Sequence, residues 1–146
     1  MDIQKIISLV TKTQGLIKNR EMAAHVKEKG LADYVTQVDI AVQNFLKKEL
    51  FALAPDIQFL GEETGLQEIK ADSFWILDPV DGTTNLMHDY QHSVVSLALC
   101  CQGDIIMGII YDPFRDEVFS AIKGKGSFLN GQPIHVSNAE KLSDTM

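Results

Sequence analysis

Cysteine is scarce in this chain, and the two that occur among its 146 residues, Cys100 and Cys101, are adjacent. Neighbouring cysteines seldom meet disulfide geometry, and neither has a Cys or His partner at zinc spacing. They read as reduced thiols in an apolar run, which excludes a disulfide framework. Long hydrophobic runs are missing too. Nothing reaches the 18 or so apolar residues of a membrane-spanning helix, and the amphipathic N-terminal segment lacks the charged start and cleavage site of a secretory signal. The expected location is the cytoplasm, with no membrane partner. Basic residues are few: 13 Lys and Arg against 20 Asp and Glu give a net charge of −7. Phosphate backbones need basic patches, so nucleic acid is not expected as a partner. No repeat, low-complexity tract or flexible linker is visible.

What remains is an ordinary globular composition, 45% hydrophobic and 23% charged, long enough for one domain with a sizeable core. Ile3, Ile6, Ile7, Val10 and Ile17 recur at helical spacing and predict one amphipathic helix from residue 2 to about residue 25. Gly30 ends that signal. Lys27-Glu28-Lys29 reads as an ordinary helix end, with a mobile loop near the acidic site as the alternative. A second helical pattern, Val42, Phe45, Leu46, Leu50 and Leu53, is closed by Pro55. Asp39 falls at its start. It is either a helix N-cap, stabilising by roughly 1 kcal/mol, or a carboxylate for a metal.

From Ser93 the period changes to that of strands. Apolar runs alternate with turn chemistry at Gln102-Gly103-Asp104, Asp112 to Asp116, Gly124 to Gly126 and Asn130-Gly131, which implies adjacent antiparallel strands with the helices on one face. The expected architecture is α+β, two helices packed on a mostly antiparallel sheet.

The chemistry concentrates between Phe59 and Asn85. Two short apolar runs, Ile57 to Leu60 and Phe74 to Leu77, read as strands that deliver acids at their ends: Glu62 and Glu63 at a turn flanked by Gly61 and Gly65, then Asp78, where Pro79 is expected to stop the pairing. Asp78 and Asp81 lie three apart around Pro79, so both can face one point, and the Val80 carbonyl offers a further oxygen. Hard oxygen donors of this kind suit Mg²⁺. Carboxylates gathered without a cation would repel and their pKa values would rise. Gly82 allows close approach, and Thr83-Thr84-Asn85 reads as a first helical turn whose free N–H groups attract phosphate. Glu63 and Glu68 also read as a solvated loop, and His88 and His92 as either site groups or exposed loop histidines.

Gly61-Glu62-Glu63 followed by Asp78-Pro79-Val80-Asp81-Gly82-Thr83-Thr84-Asn85 resembles the inositol monophosphatase family of Mg²⁺-dependent, lithium-sensitive phosphatases. The block ending at Asp39 matches as well, and the likeness runs from about Ile3 to Val136. It implies the N-terminal, metal-binding domain of that fold over 1–146, with the family's C-terminal domain absent. It implies a first Mg²⁺ on Glu62, Asp78 and the Val80 carbonyl, a second shared by Asp78 and Asp81, and a third held with help from Asp39 and Glu63. Thr83 would orient the attacking water beside Glu62, and Gly82, Thr83 and Asp81 would meet the substrate. The implied activity is hydrolysis of a small polyol or sugar phosphate, inositol monophosphate-like, and the family is commonly dimeric, so a homodimer is possible. The alternatives are a non-catalytic metal- or phosphate-binding fragment needing the missing half or a partner chain, and a fructose-1,6-bisphosphatase-like or nucleotide phosphatase of the same superfamily. Leu86 to His92 departs from the family pattern, in the loop expected to face substrate. An EF-hand is excluded because Val80 and Asp89 fall at its third and twelfth positions. A haloacid-dehalogenase aspartyl nucleophile is excluded because its position is Pro79.

Overall fold

A computed structural model describes residues 2–30, 33–64 and 68–141. Gly65, the second expected flank of the acidic turn, lies outside the described residues. Helices α1 (Ile3–Thr11), α2 (Gln14–Ile17) and α3 (Arg20–Ala24) precede in the chain, and α4 (Gln37–Leu53) follows, a hairpin of β1 (Val26–Gly30) with β2 (Asp33–Thr36). After β3 (Gln58–Gly61) comes one 3₁₀ turn, Glu62–Thr64. Strand β4 (Ser73–Asp81), helix α5 (Thr83–Met87) and strands β5 (Val94–Cys101), β6 (Asp104–Asp112), β7 (Glu117–Ile122), β8 (Gly126–Leu129) and β9 (Gln132–Ile134) complete the order. Strands β3 to β9 form one sheet in sequence order. Among the described residues only the β3–β4 pair of this sheet is parallel; the others are antiparallel. The α+β expectation holds.

The single N-terminal helix does not. It divides into three because Thr13, fully buried, turns its hydroxyl onto the Val10 carbonyl at 2.6 Å, and Asn19 then starts α3 by accepting from the Met22 N–H at 3.1 Å. Both are side-chain bonds that compete with helix continuation. Lys27-Glu28-Lys29 is likewise not a helix end: it lies within β1, with Lys27 opposite Val35 and Glu28 opposite Tyr34.

The core lies between the helices and one face of the sheet. Val38, Val42, Leu46 and Leu50 of α4, one turn apart, meet Trp75 and Leu77 of β4, Val95, Leu97 and Leu99 of β5, and Ile109 and Tyr111 of β6, with Ile6 and Val10 of α1 beside them. Alternation along β4 to β6 leaves the opposite face only half covered, and there Ile110 and Phe119 remain 45% and 37% exposed. Cys100 is buried, Cys101 is half-buried, and both are free thiols. Among the described residues no helix is long and apolar enough to cross a membrane.

Candidate active site

Parallel pairing of β3 and β4 assembles the acids. Gln58 to Gly61 lie opposite Phe74 to Leu77 in register, and the two strands run the same way about 4.8 Å apart. The next residue of each strand is an acid: Glu62 turns out of the sheet at the end of β3, beside Asp78, which stays within β4. Gly61 makes the turn possible: a Cβ there would run into the Gln43 side chain of α4 and stand 2.8 Å from the Phe59 ring. Gln43 Oε1 accepts from the Glu63 N–H at 3.0 Å, and the Thr64 hydroxyl donates to the Gly61 carbonyl at 2.6 Å. The acidic turn is thus fastened to both α4 and β3.

In a regular strand, residues three apart point to opposite faces. Here Asp78 is opposite Ser96 and Asp81 opposite Val94, so the β4 side holds one residue more than the β5 side. Pro79, with no N–H to give, sits in this bulge. It does not stop the strand, as the sequence suggested, but shifts it by one: Pro79 and Val80 are both buried, and Asp81 comes out to solvent. The electrostatics report the result. The Asp78 carboxyl is pushed up to about 7, first by burial, then by the charges of Glu62 and Asp81 and a hydrogen bond with Glu62. Only the Val80 N–H, 3.2 Å from Asp78 Oδ1, acts in the other direction.

Gly82 follows with φ +92°, a left-handed conformation, and a Cβ there would stand 2.9 Å from the His92 carbonyl oxygen. Its carbonyl accepts from the Ser93 hydroxyl at 2.8 Å. As N-cap of α5 it offers no side chain to the helix, so the first-turn N–H groups are left for an outside acceptor. The Thr83 hydroxyl lies 2.9 Å from Asp39 Oδ1 and 3.0 Å from the Val80 carbonyl. Asp39 is only 1% exposed. Its Oδ2 accepts from the Thr36 N–H at 2.8 Å and the Thr36 hydroxyl at 2.5 Å. Thr36, not Asp39, is the N-cap of α4, and Asp39 is the third-residue partner in a capping box, so the expected cap role moves by three residues.

Glu62 and Asp81 are therefore brought to Asp78, and one hydroxyl, that of Thr83, links Asp39 with the Val80 carbonyl. Glu63 is half-buried on the same turn as Glu62. Glu68 is exposed and paired with Lys70 at 3.0 Å, the solvated-loop reading. His88 stacks on Tyr90 with ring centroids 5.6 Å apart, and His92 Nδ1 lies 3.4 Å from Arg115. Gln43 and Ser93 were not singled out from the sequence. The signal for Gln43 was its place one turn after Asp39 on the buried face of α4, where an amide interrupts the apolar stripe.

Against known proteins, the sequence matches the profile of the Inositol monophosphatase family over residues 2–146. The chain belongs to the inositol monophosphatase family. It is 42% identical over 122 residues to "Inositol monophosphatase 3" of Solanum lycopersicum, covering 81% of this chain and 46% of that protein. It is 40% identical over 124 residues to "Inositol-1-monophosphatase" of Rhizobium meliloti, covering 83% and 46%. Among solved structures, the extragenic suppressor protein suhB from Bartonella henselae superposes with a TM-score of 0.88 at 34% identity, over 96% of this chain and 56% of that one. An IMPase/NADP phosphatase complexed with Mg²⁺ and phosphate superposes with a TM-score of 0.86 at 30% identity, over 96% and 55%. The chain spans about half the length of the curated family relatives it matches.

Proposed function

We propose that this chain is the metal- and phosphate-binding half of a Mg²⁺-dependent phosphatase acting on a small polyol or sugar phosphate. The observation that carries the reading is the parallel β3–β4 register that sets Glu62 beside Asp78, with Asp81 across the bulge and the uncapped first turn of α5 next to it; the Asp78 carboxyl is pushed up by burial, Glu62 and Asp81. These donors fit a divalent cation: they are hard oxygens, their mutual repulsion is what a cation would relieve, and the Val80 carbonyl adds a neutral donor. Among the described residues no three His, Cys, Asp or Glu side chains form a ready metal cage. The family likeness supports Glu62, Asp78, Val80 and Asp81 as holders, with Asp39 and Glu63 contributing to a third ion. Bound there, the cation supplies neutralisation of phosphoryl charge and acidification of a water.

The chain's own groups do the rest. The Thr83 hydroxyl, with its proton directed to Asp39, presents lone pairs that accept a hydrogen from the attacking water and fix its line of approach. Glu62 accepts a second hydrogen of that water. The Gly82 and Thr83 amides hold the phosphate oxygens at the helix start. Calorimetric titration with Mg²⁺ should give binding that Asp81→Asn weakens by tenfold or more, about 1.4 kcal/mol, and Mg²⁺-dependent phosphate release from inositol 1-phosphate should be lost in the same variant. Mg²⁺ binding equal in the parent and in Asp81→Asn would sink the assignment. The second reading, a binding fragment that needs a complementary chain, is favoured by the half-covered sheet face around Ile110 and Phe119. Mg²⁺ binding without turnover distinguishes it.

A further inference from the structure

A pocket of about 560 Å³ opens between the C-terminal half of α4 and the edge strand β3, and none of the carboxylate-site residues lines it. Its size falls within the range of roughly 300–1,000 Å³ typical of small-molecule sites. Phe59, Ile57 and the 1% exposed Trp75 line it from the sheet side, and Phe51 from α4. Phe51 is 64% exposed, on a helix whose other face is buried in the core. The Trp75 indole N–H is buried and has no hydrogen-bond acceptor among the described residues.

Two cations complete the lining, Lys47 and Lys48. Lys47 Nζ stands 5.9 Å from the centre of the Phe59 ring. Among the described residues neither lysine is held in an ion pair, in a chain whose net charge is −7. Asp56, between the lining residues Pro55 and Ile57, is the nearest carboxylate in sequence and does not line the pocket. An apolar hollow with aromatic walls and two uncompensated ammonium groups complements a molecule with an apolar body and one negative end.

We propose that this pocket binds a small amphipathic anion, its ring or chain against Phe51, Phe59 and Trp75 and its carboxylate or sulfonate beside Lys47 and Lys48. The site is independent of the phosphatase reading. Trp75 is the chain's single tryptophan and lines the pocket, so its indole N–H resonance and its emission respond when the pocket fills. Titration with decanoate below its micelle concentration should move the Trp75 indole resonance saturably, with half-saturation below about 1 mM. Decyltrimethylammonium, with the same chain and the opposite charge, should bind at least about tenfold more weakly. The double variant Lys47→Gln, Lys48→Gln should weaken decanoate by about tenfold, and Phe51→Ser should weaken it with both lysines intact. A resonance that decanoate leaves in place overturns the proposal. So does an equal response to both head groups, or a double lysine variant that binds decanoate as the parent does.

Discussion

At Asp78, burial and two carboxylate neighbours hold the carboxyl proton up to about 7, against about 3.9 in an unstructured chain. Between those values the folded chain keeps a proton that the unfolded chain has released. The contribution is fully present below about pH 4 and is lost as pH rises through about 7. In chelator-treated protein the thermal midpoint should therefore drop across that window, and Asp78→Asn should flatten the profile. A parent profile as flat as the variant's would contradict the crowding of the three acids. Asp39 offers a separate measurement. Asp39→Ala removes the acceptor of the Thr36 N–H, the Thr36 hydroxyl and the Thr83 hydroxyl together, and should cost about 1–3 kcal/mol in urea unfolding. Asp78, Asp81 and Gly82 were legible because Pro79 and the glycine fix their backbone within a few residues. Gln43 and Ser93 were not, since their roles depend on Gly61 and Gly82, which lie 18 and 11 residues away in the chain.

Among the elements, the strands after Ser93 were readable because each apolar run ends in its own turn residues. Asp116 and Asn130 adopt positive φ as such turns require, and so do the glycines at 103, 124, 126 and 131. The three-way division of the first helix was written in Thr13 and Asn19, but apolar spacing alone passes over side chains that bond to backbone. Strand β1 has no apolar alternation to read; it exists because β2 pairs with it. Two glycines give opposite expectations. Gly82 has φ +92° and the His92 carbonyl beside it, so Gly82→Ala should destabilise by about 1–3 kcal/mol. Gly108, mid-strand in β6, has negative φ and nothing within 4 Å of a built Cβ. Gly108→Ala should stabilise the chain by about 0.5–1 kcal/mol in the same urea assay.

For the molecule as a whole, the α+β class and the mostly antiparallel sheet followed from the period change, while the one parallel pair did not. Nothing local in Ile57 to Leu60 says which strand it will join or in which direction. That pair is nevertheless what sets Glu62 beside Asp78. Among the described residues β3 ends the sheet and pairs with β4 alone, so within the sheet one seam positions Glu62, while the Gln43–Glu63 bond ties its turn to α4. Brief unzipping of that seam would carry one acid away while the remaining strands stay closed, so backbone amides of β3 should exchange with deuterium sooner than those of β5. Saturating Mg²⁺ should slow that exchange selectively, the ion acting as a clasp across that join.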